Sequence, residues 1–109
     1  MSQQTTCARG NILYNFLVYP SLTPTAITAS TTAVQTFTIP GLAVNDSVSV
    51  NSQAAQTTGV SVINTWVSAA NTLSVQFANA NTASATPYVG TYILACDRLE
   101  GTVLPTNAA

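Results

Sequence analysis

The chain has no lysine and no histidine, and only two arginines and three carboxylates among 109 residues. Ordinary globular domains carry about a quarter charged residues. Each absence closes off a class of function. Without histidine or lysine, no Ser-His, Cys-His or Ser-Lys pair can activate a nucleophile. Two cysteines, Cys7 and Cys96, are too few for a Cys/His zinc site or a disulfide framework. Phosphate recognition needs clustered cations, and Arg9 and Arg98 stand far apart in sequence. Nucleic acid is therefore not an expected partner. Neither is a membrane: no basic amphipathic face is visible, and no apolar run reaches the roughly 18 residues of a span. No catalytic residue, metal ligand or cofactor site is assigned.

Thr, Ser, Asn, Gln and Ala take the place of the missing charge. A surface this neutral favours association. It suits a subunit packed against other subunits. The length fits one domain. Cys7 and Cys96 lie near opposite ends; they either bridge the N-terminal arm to the last strand or remain two thiols, with Cys96 a small buried hydrophobe.

The carboxylates offer little chemistry. Asp46 sits in Val44-Asn45-Asp46-Ser47 and reads as a turn residue bonding its own backbone. Asn45-Asp46-Ser47 also matches the glycosylation acceptor pattern, a chance match in so Asn- and Ser-rich a chain. Asp97-Arg98-Leu99-Glu100 is the only charge cluster. A glycosidase-like acid pair or a calcium site is conceivable there, but a solvated strand end or an intersubunit salt bridge is the expected role.

The hydrophobic period is two over most of the chain. Phe37 and Ile39, then Val48 and Val50, then Leu73, Val75 and Phe77, then Tyr92, Leu94 and Cys96 each fall on one face of an extended segment. Pro40-Gly41, Asn45-Asp46, Gly59, Ala70-Asn71 and residues 79–90 are turn or loop signals. Strands are predicted at 11–19, 33–39, 46–51, 60–67, 72–78 and 90–97, with no helix. The expected fold is all-β: a small antiparallel β-sandwich, or barrel-like body, of about six to eight strands with an extended N-terminal arm. Trp66 shares parity with Val60 and Val62, so it is expected to point inward on an unbulged strand. Its alternative roles are a sugar platform or an interface anchor.

Residues 11–19 differ from the rest. Ile12, Tyr14, Phe16 and Val18 form one apolar face; Leu13, Leu17 and Tyr19 form the other. A strand apolar on both faces is covered on both, either by a neighbouring subunit or, as a central strand, by a long loop. These seven residues are the candidate subunit interface. The segment follows Arg9 and resembles a signal peptide's apolar region, but Asn15 interrupts it and only one charge precedes it, so it is read as a strand. Residues 20–33, rich in Thr, Ala and Pro, read as an extended connector lying on a surface. The expected organisation is an arm, strand and connector over 1–33, a β-sandwich module over 34–98, and a C-terminal tail over 99–109.

Three stretches carry a resemblance. They are Pro40-Gly41-Leu42 followed by Asp46-Ser47-Val48-Ser49-Val50; Ser68-Ala69-Ala70-Asn71-Thr72-Leu73; and Pro87-Tyr88-Val89-Gly90-Thr91-Tyr92. In this order and spacing the chain resembles, over roughly 34–98, the small β-sandwich module of tailed-phage virion proteins, as in capsid decoration (cement) proteins and head or tail fibres. The physics of the motifs stands without the family. Pro-Gly starts a turn, Asp46 holds the next by side-chain bonding, Asn71 takes a left-handed conformation, and Gly90 frees the backbone before the last strand. The resemblance implies a homotrimeric virion structural protein, made in the host cytoplasm and bound to the major capsid protein, with no active site. Residues 1–33 and 99–109 fall outside the match and are the parts expected to choose the partner. A fibre or tail component acting as a receptor- or glycan-binding module is the alternative.

Overall fold

A computed structural model describes residues 12–99, with the side chains of residues 12–14 and 99 left aside. Seven strands make up the described chain: β1 Ile12–Val18, β2 Ser21–Leu22, β3 Thr31–Thr38, β4 Ser47–Ser52, β5 Val60–Ala69, β6 Thr72–Asn79 and β7 Gly90–Leu99. All pairings are antiparallel, in two sheets. In the first, β7 is central: β1 and β2 lie in line along one edge, and β4 pairs along the other. In the second, β6 lies between β3 and β5. The chain is thus an all-β domain, a small antiparallel β-sandwich.

Alternation decides what lies between the sheets. Leu73, Val75 and Phe77 of β6 are fully buried, as are Tyr92 and Leu94 of β7. Ile39, Leu42, Val50, Val60, Val67 and Cys96 complete the packing around them. Burying one such aliphatic or aromatic side chain stabilises the fold by about 1.5–3 kcal/mol. Most intervening strand positions carry Thr, Ser, Asn and Gln toward solvent, although Ser74 is buried.

Turns fix the register. Pro40 and Gly41, the latter at φ 99°, reverse the chain after β3. The pair suits a type II turn, where only glycine takes the positive φ cheaply. Asn71, at φ 62°, closes the β5–β6 hairpin. Its side-chain oxygen accepts from Gly41 N at 2.8 Å, and its carbonyl accepts from Ile39 N at 2.9 Å. The hairpin and the Pro-Gly turn therefore hold each other.

Two expectations need correction. The connector does not simply lie on a surface: Leu22 and Ile27 are buried in the core. Ile27 exchanges both backbone hydrogen bonds with Ala85, at 2.8 and 3.1 Å. Gln35 clasps Thr25 through its side-chain amide, donating to the carbonyl and accepting from the N–H, both at 2.9 Å. Two apolar residues among many small polar ones gave no periodic signal, yet a two-sheet body needs its open side closed. The second correction is Trp66, which points outward. The β5–β6 register slips between Val62 and Asn64. Ile63 is the extra residue of this bulge, so parity reverses beyond it. Thr65 and Val67 turn inward, and Trp66 is 36% exposed. Residues 1–11, including the arm and Cys7, and residues 100–109 of the tail lie outside the described residues.

Candidate interaction surface

Acid–base chemistry has little to work with. Asp46 is buried beneath Arg98, with side-chain exposures of 2% and 24%. Arg98 grips it with two donors: Nε to Oδ1 at 2.9 Å and Nη2 to Oδ2 at 2.8 Å. Nη2 also donates to the Gly41 carbonyl at 2.6 Å. Asp46 Oδ2 accepts from Ala43 N at 2.9 Å, closing its own turn. The Arg98 hydrogen bonds hold the Asp46 carboxyl below its usual range, against the opposing pull of burial. A carboxylate so occupied is a latch, not a base. Sequence reasoning found the turn role of Asp46 and missed its partner, because 52 residues separate the two.

Cys96 sits behind this latch and carries a free thiol. Burial, reinforced by the Asp46 charge, pushes the thiol up to about 11. It is therefore protonated and unreactive at neutral pH. Pairing with Cys7 concerns a residue outside the described set. Asp97 points to the other face of β7, so it does not join Asp46, and Glu100 lies outside the described residues. Among the described residues no group of three acidic, cysteine or histidine side chains could hold a metal ion. Among the described residues no helix is long and apolar enough to cross a membrane. Two grooves of about 280 and 300 Å³ between β4 and β5 are lined by Val, Ser, Asn and their like, without a titratable group.

What the sandwich does present is two outer faces. On the first sheet the register sets Asn15, Asp97 and Ser47 in one row and Leu17, Ala95 and Ser49 in the next. Ile93 and Asn51 form a third, with Tyr19 beyond the end of β1. Leu17 is 59% and Tyr19 55% exposed. The candidate interface residues thus divide. Phe16 and Val18 pack against the core. Leu17 and Tyr19 stand on the outer face. Ile12 and Leu13 lie in β1, with Tyr14 in register with Arg98; their side chains are outside the described set. Among the described residues β1 pairs with β7 alone.

The outer face of the second sheet is different. Its rows are Thr36, Ser74 and Trp66, then Val34, Gln76 and Asn64. Ser74 is only 2% exposed although it points outward. Its register partners are Thr36 on β3 and Trp66 on β5. Its hydroxyl is held by that of Ser68 at 2.8 Å. Sequence reasoning could have found this face only by locating the bulge, which has no composition signal. No family model matches the chain, nor does any curated protein or solved structure.

Proposed function

We propose that this chain is a non-enzymatic virion structural protein, a capsid decoration or cement protein that binds and stabilises the major capsid protein shell as a homotrimer. The observation that carries this reading is the outer face of the first sheet. There Leu17 and Tyr19 stand exposed beside Ile93 and Ala95, flanked by Ser49 and Asn51. Apolar area contributes about 25 cal/mol per Å² on burial, and a standard interface removes about 1,600 Å² from water. Most of that gross gain offsets the entropy of association. Hydroxyl and amide groups at the margin can pair across such a contact without the desolvation cost of a charge. The sequence resemblance supplies the virion context and the expectation of three copies. A second reading, a fibre or tail component with a glycan-binding face, is supported by the outward Trp66.

The test combines light scattering of the isolated protein with co-sedimentation on intact particles. A trimer that travels with capsids, with little loss of occupancy as salt rises, is the expected result. Leu17→Asp and Tyr19→Asp alter exposed side chains, so each should abolish assembly while leaving the melting transition in place. A variant that keeps both oligomer and capsid binding would refute the assignment of this face. Phe16→Asp is not a clean probe, because Phe16 belongs to the core.

A further inference from the structure

The uncharged face around Trp66 has a composition that fits one kind of ligand. We infer that the outer face of the β3–β6–β5 sheet is a binding platform for a neutral oligosaccharide, with the Trp66 indole as the stacking surface and Asn64, Gln76 and Thr36 as its hydrogen-bonding rim. This deepens the glycan-binding reading and rests on it.

Three observations support the assignment. First, Trp66 faces outward opposite Ser74 in the sheet register and is 36% exposed. Part of its area is covered within the sheet and part is open to solvent. Flat aromatic faces of this kind take the apolar C–H side of a pyranose ring. Second, the groups around it have unused hydrogen-bonding capacity. Asn64 Oδ1 accepts from Thr65 N at 2.9 Å, which orients the amide. Its Nδ2, the Gln76 amide and the Thr36 hydroxyl have no partner among the described residues. Register places Asn64 one row from Trp66 on the same strand, about 7 Å away, with Gln76 beside it on β6, and Thr36 in the row of Trp66 two strands away, about 10 Å. Such spacing suits the hydroxyls of adjacent sugar units.

Third, charge selects among occupants. No outward position of β3, β5 or β6 is charged. A sulfated or sialylated glycan would find no cation here, and nucleic acid none either. A second copy of the chain is a poor fit. Protein interfaces centre on a fully desolvated apolar core, and the exposed apolar residues of this sheet, Val34, Ile63 and Trp66, stand among Thr32, Thr36, Asn64, Ser68 and Gln76.

The chain's single tryptophan makes the test direct, because all indole emission reports on this site. The protein is applied to an array of neutral, sulfated and sialylated oligosaccharides, and the best neutral hexasaccharide is then titrated by tryptophan fluorescence. The expected result is a saturable emission change with neutral glycans that high salt leaves unaltered. Trp66→Ala should weaken array binding by about tenfold or more, with Trp66→Phe intermediate. Gln76→Ala should weaken it several-fold with an unchanged melting transition. Binding confined to charged glycans, or lost at high salt, would overturn the neutral-ligand inference while leaving a glycan-binding role intact. No binding to any glycan would remove both. A drop in oligomeric mass on Trp66→Ala would show that a second copy occupies the face, and would equally overturn the inference.

Discussion

The two ends of the sandwich are closed by the same strand in different ways. The inward positions of β7 read Tyr92, Leu94, Cys96 and Arg98 from one end to the other. At one end the Arg98 guanidinium joins Asp46 to the carbonyl of Gly41. At the other, the Tyr92 hydroxyl donates to the Tyr88 carbonyl at 2.6 Å and accepts from Gln56 Nε2 at 3.2 Å. Gln56 Oε1 in turn accepts from Tyr88 N and from Thr57 N. The rings of Tyr88 and Tyr92 lie 5.6 Å apart. Both ends tie loop backbone to the core through a buried polar side chain. One uses an ion pair, the other a neutral network. The difference matters in a protein with so few charges. Two of its five charged residues are turned inward on each other, so its surface is more neutral than its composition.

The comparison can be broken most forcefully at the charged end. Arg98→Met leaves Asp46 buried with no cation, and should cost about 3–5 kcal/mol in urea unfolding. Asp46→Asn is milder, since the amide still accepts from Ala43 N, but it too should destabilise markedly. The acid dependence follows from the lowered carboxyl. The stability contributed by Asp46 is complete above the ordinary carboxylate range and is lost as pH falls through its depressed value. Urea midpoints measured down to strongly acidic pH should fall for the wild type and flatten in Asp46→Asn. An unchanged acid slope in that variant would mean that the latch does not govern acid unfolding.

At the neutral end, Tyr92→Phe should cost about 1–3 kcal/mol, because the Tyr88 carbonyl and Gln56 are left short of a partner. Burial pushes the Tyr92 phenol up. Its contribution is full below the ordinary tyrosine range and is lost as pH rises through the raised value. Spectrophotometric titration should therefore show one tyrosine ionising late, and Tyr92→Phe should remove it. Gly90→Ala attacks the same network through backbone: Gly90 has φ 152°, and an added Cβ would lie 2.6 Å from the Tyr88 hydroxyl. It should destabilise by about 1–3 kcal/mol in thermal melts. The smallest effect is kinetic. Cys96 should resist thiol reagents in the native state at neutral pH and react only as the protein unfolds, so labelling should track global unfolding.

Much of this architecture is legible in the residues. Period-two alternation located six strands because each has one face in the core, as in Leu73-Ser74-Val75-Gln76-Phe77. The left-handed conformation of Asn71, the Pro40-Gly41 turn and the backbone freedom needed at Gly90 followed from residue chemistry, and Asn71, Gly41 and Gly90 all have positive φ. The strand Ser21–Leu22 escaped notice because two residues cannot show a period. The Asp46–Arg98 pair escaped because it joins distant segments that only the sheet register brings together. The strand at 11–19 was legible from its apolar run, but which face is covered depends on pairing: Phe16 and Val18 pack against the core while Leu17 and Tyr19 stand exposed. Trp66 was misplaced because parity holds only while pairing is unbroken.

That last error has a genetic counterpart. Ile63 is a single codon, and its loss in frame would join Val62, opposite Phe77, directly to Asn64, opposite Gln76. Alternation would then run unbroken through this stretch, with both flanks keeping the faces they have now. The exposed ring therefore tolerates deletion of the bulge codon. It is lost by replacing Trp66, or by drawing Ile63 into the ladder, which slips one flank by a residue and turns its side chains over.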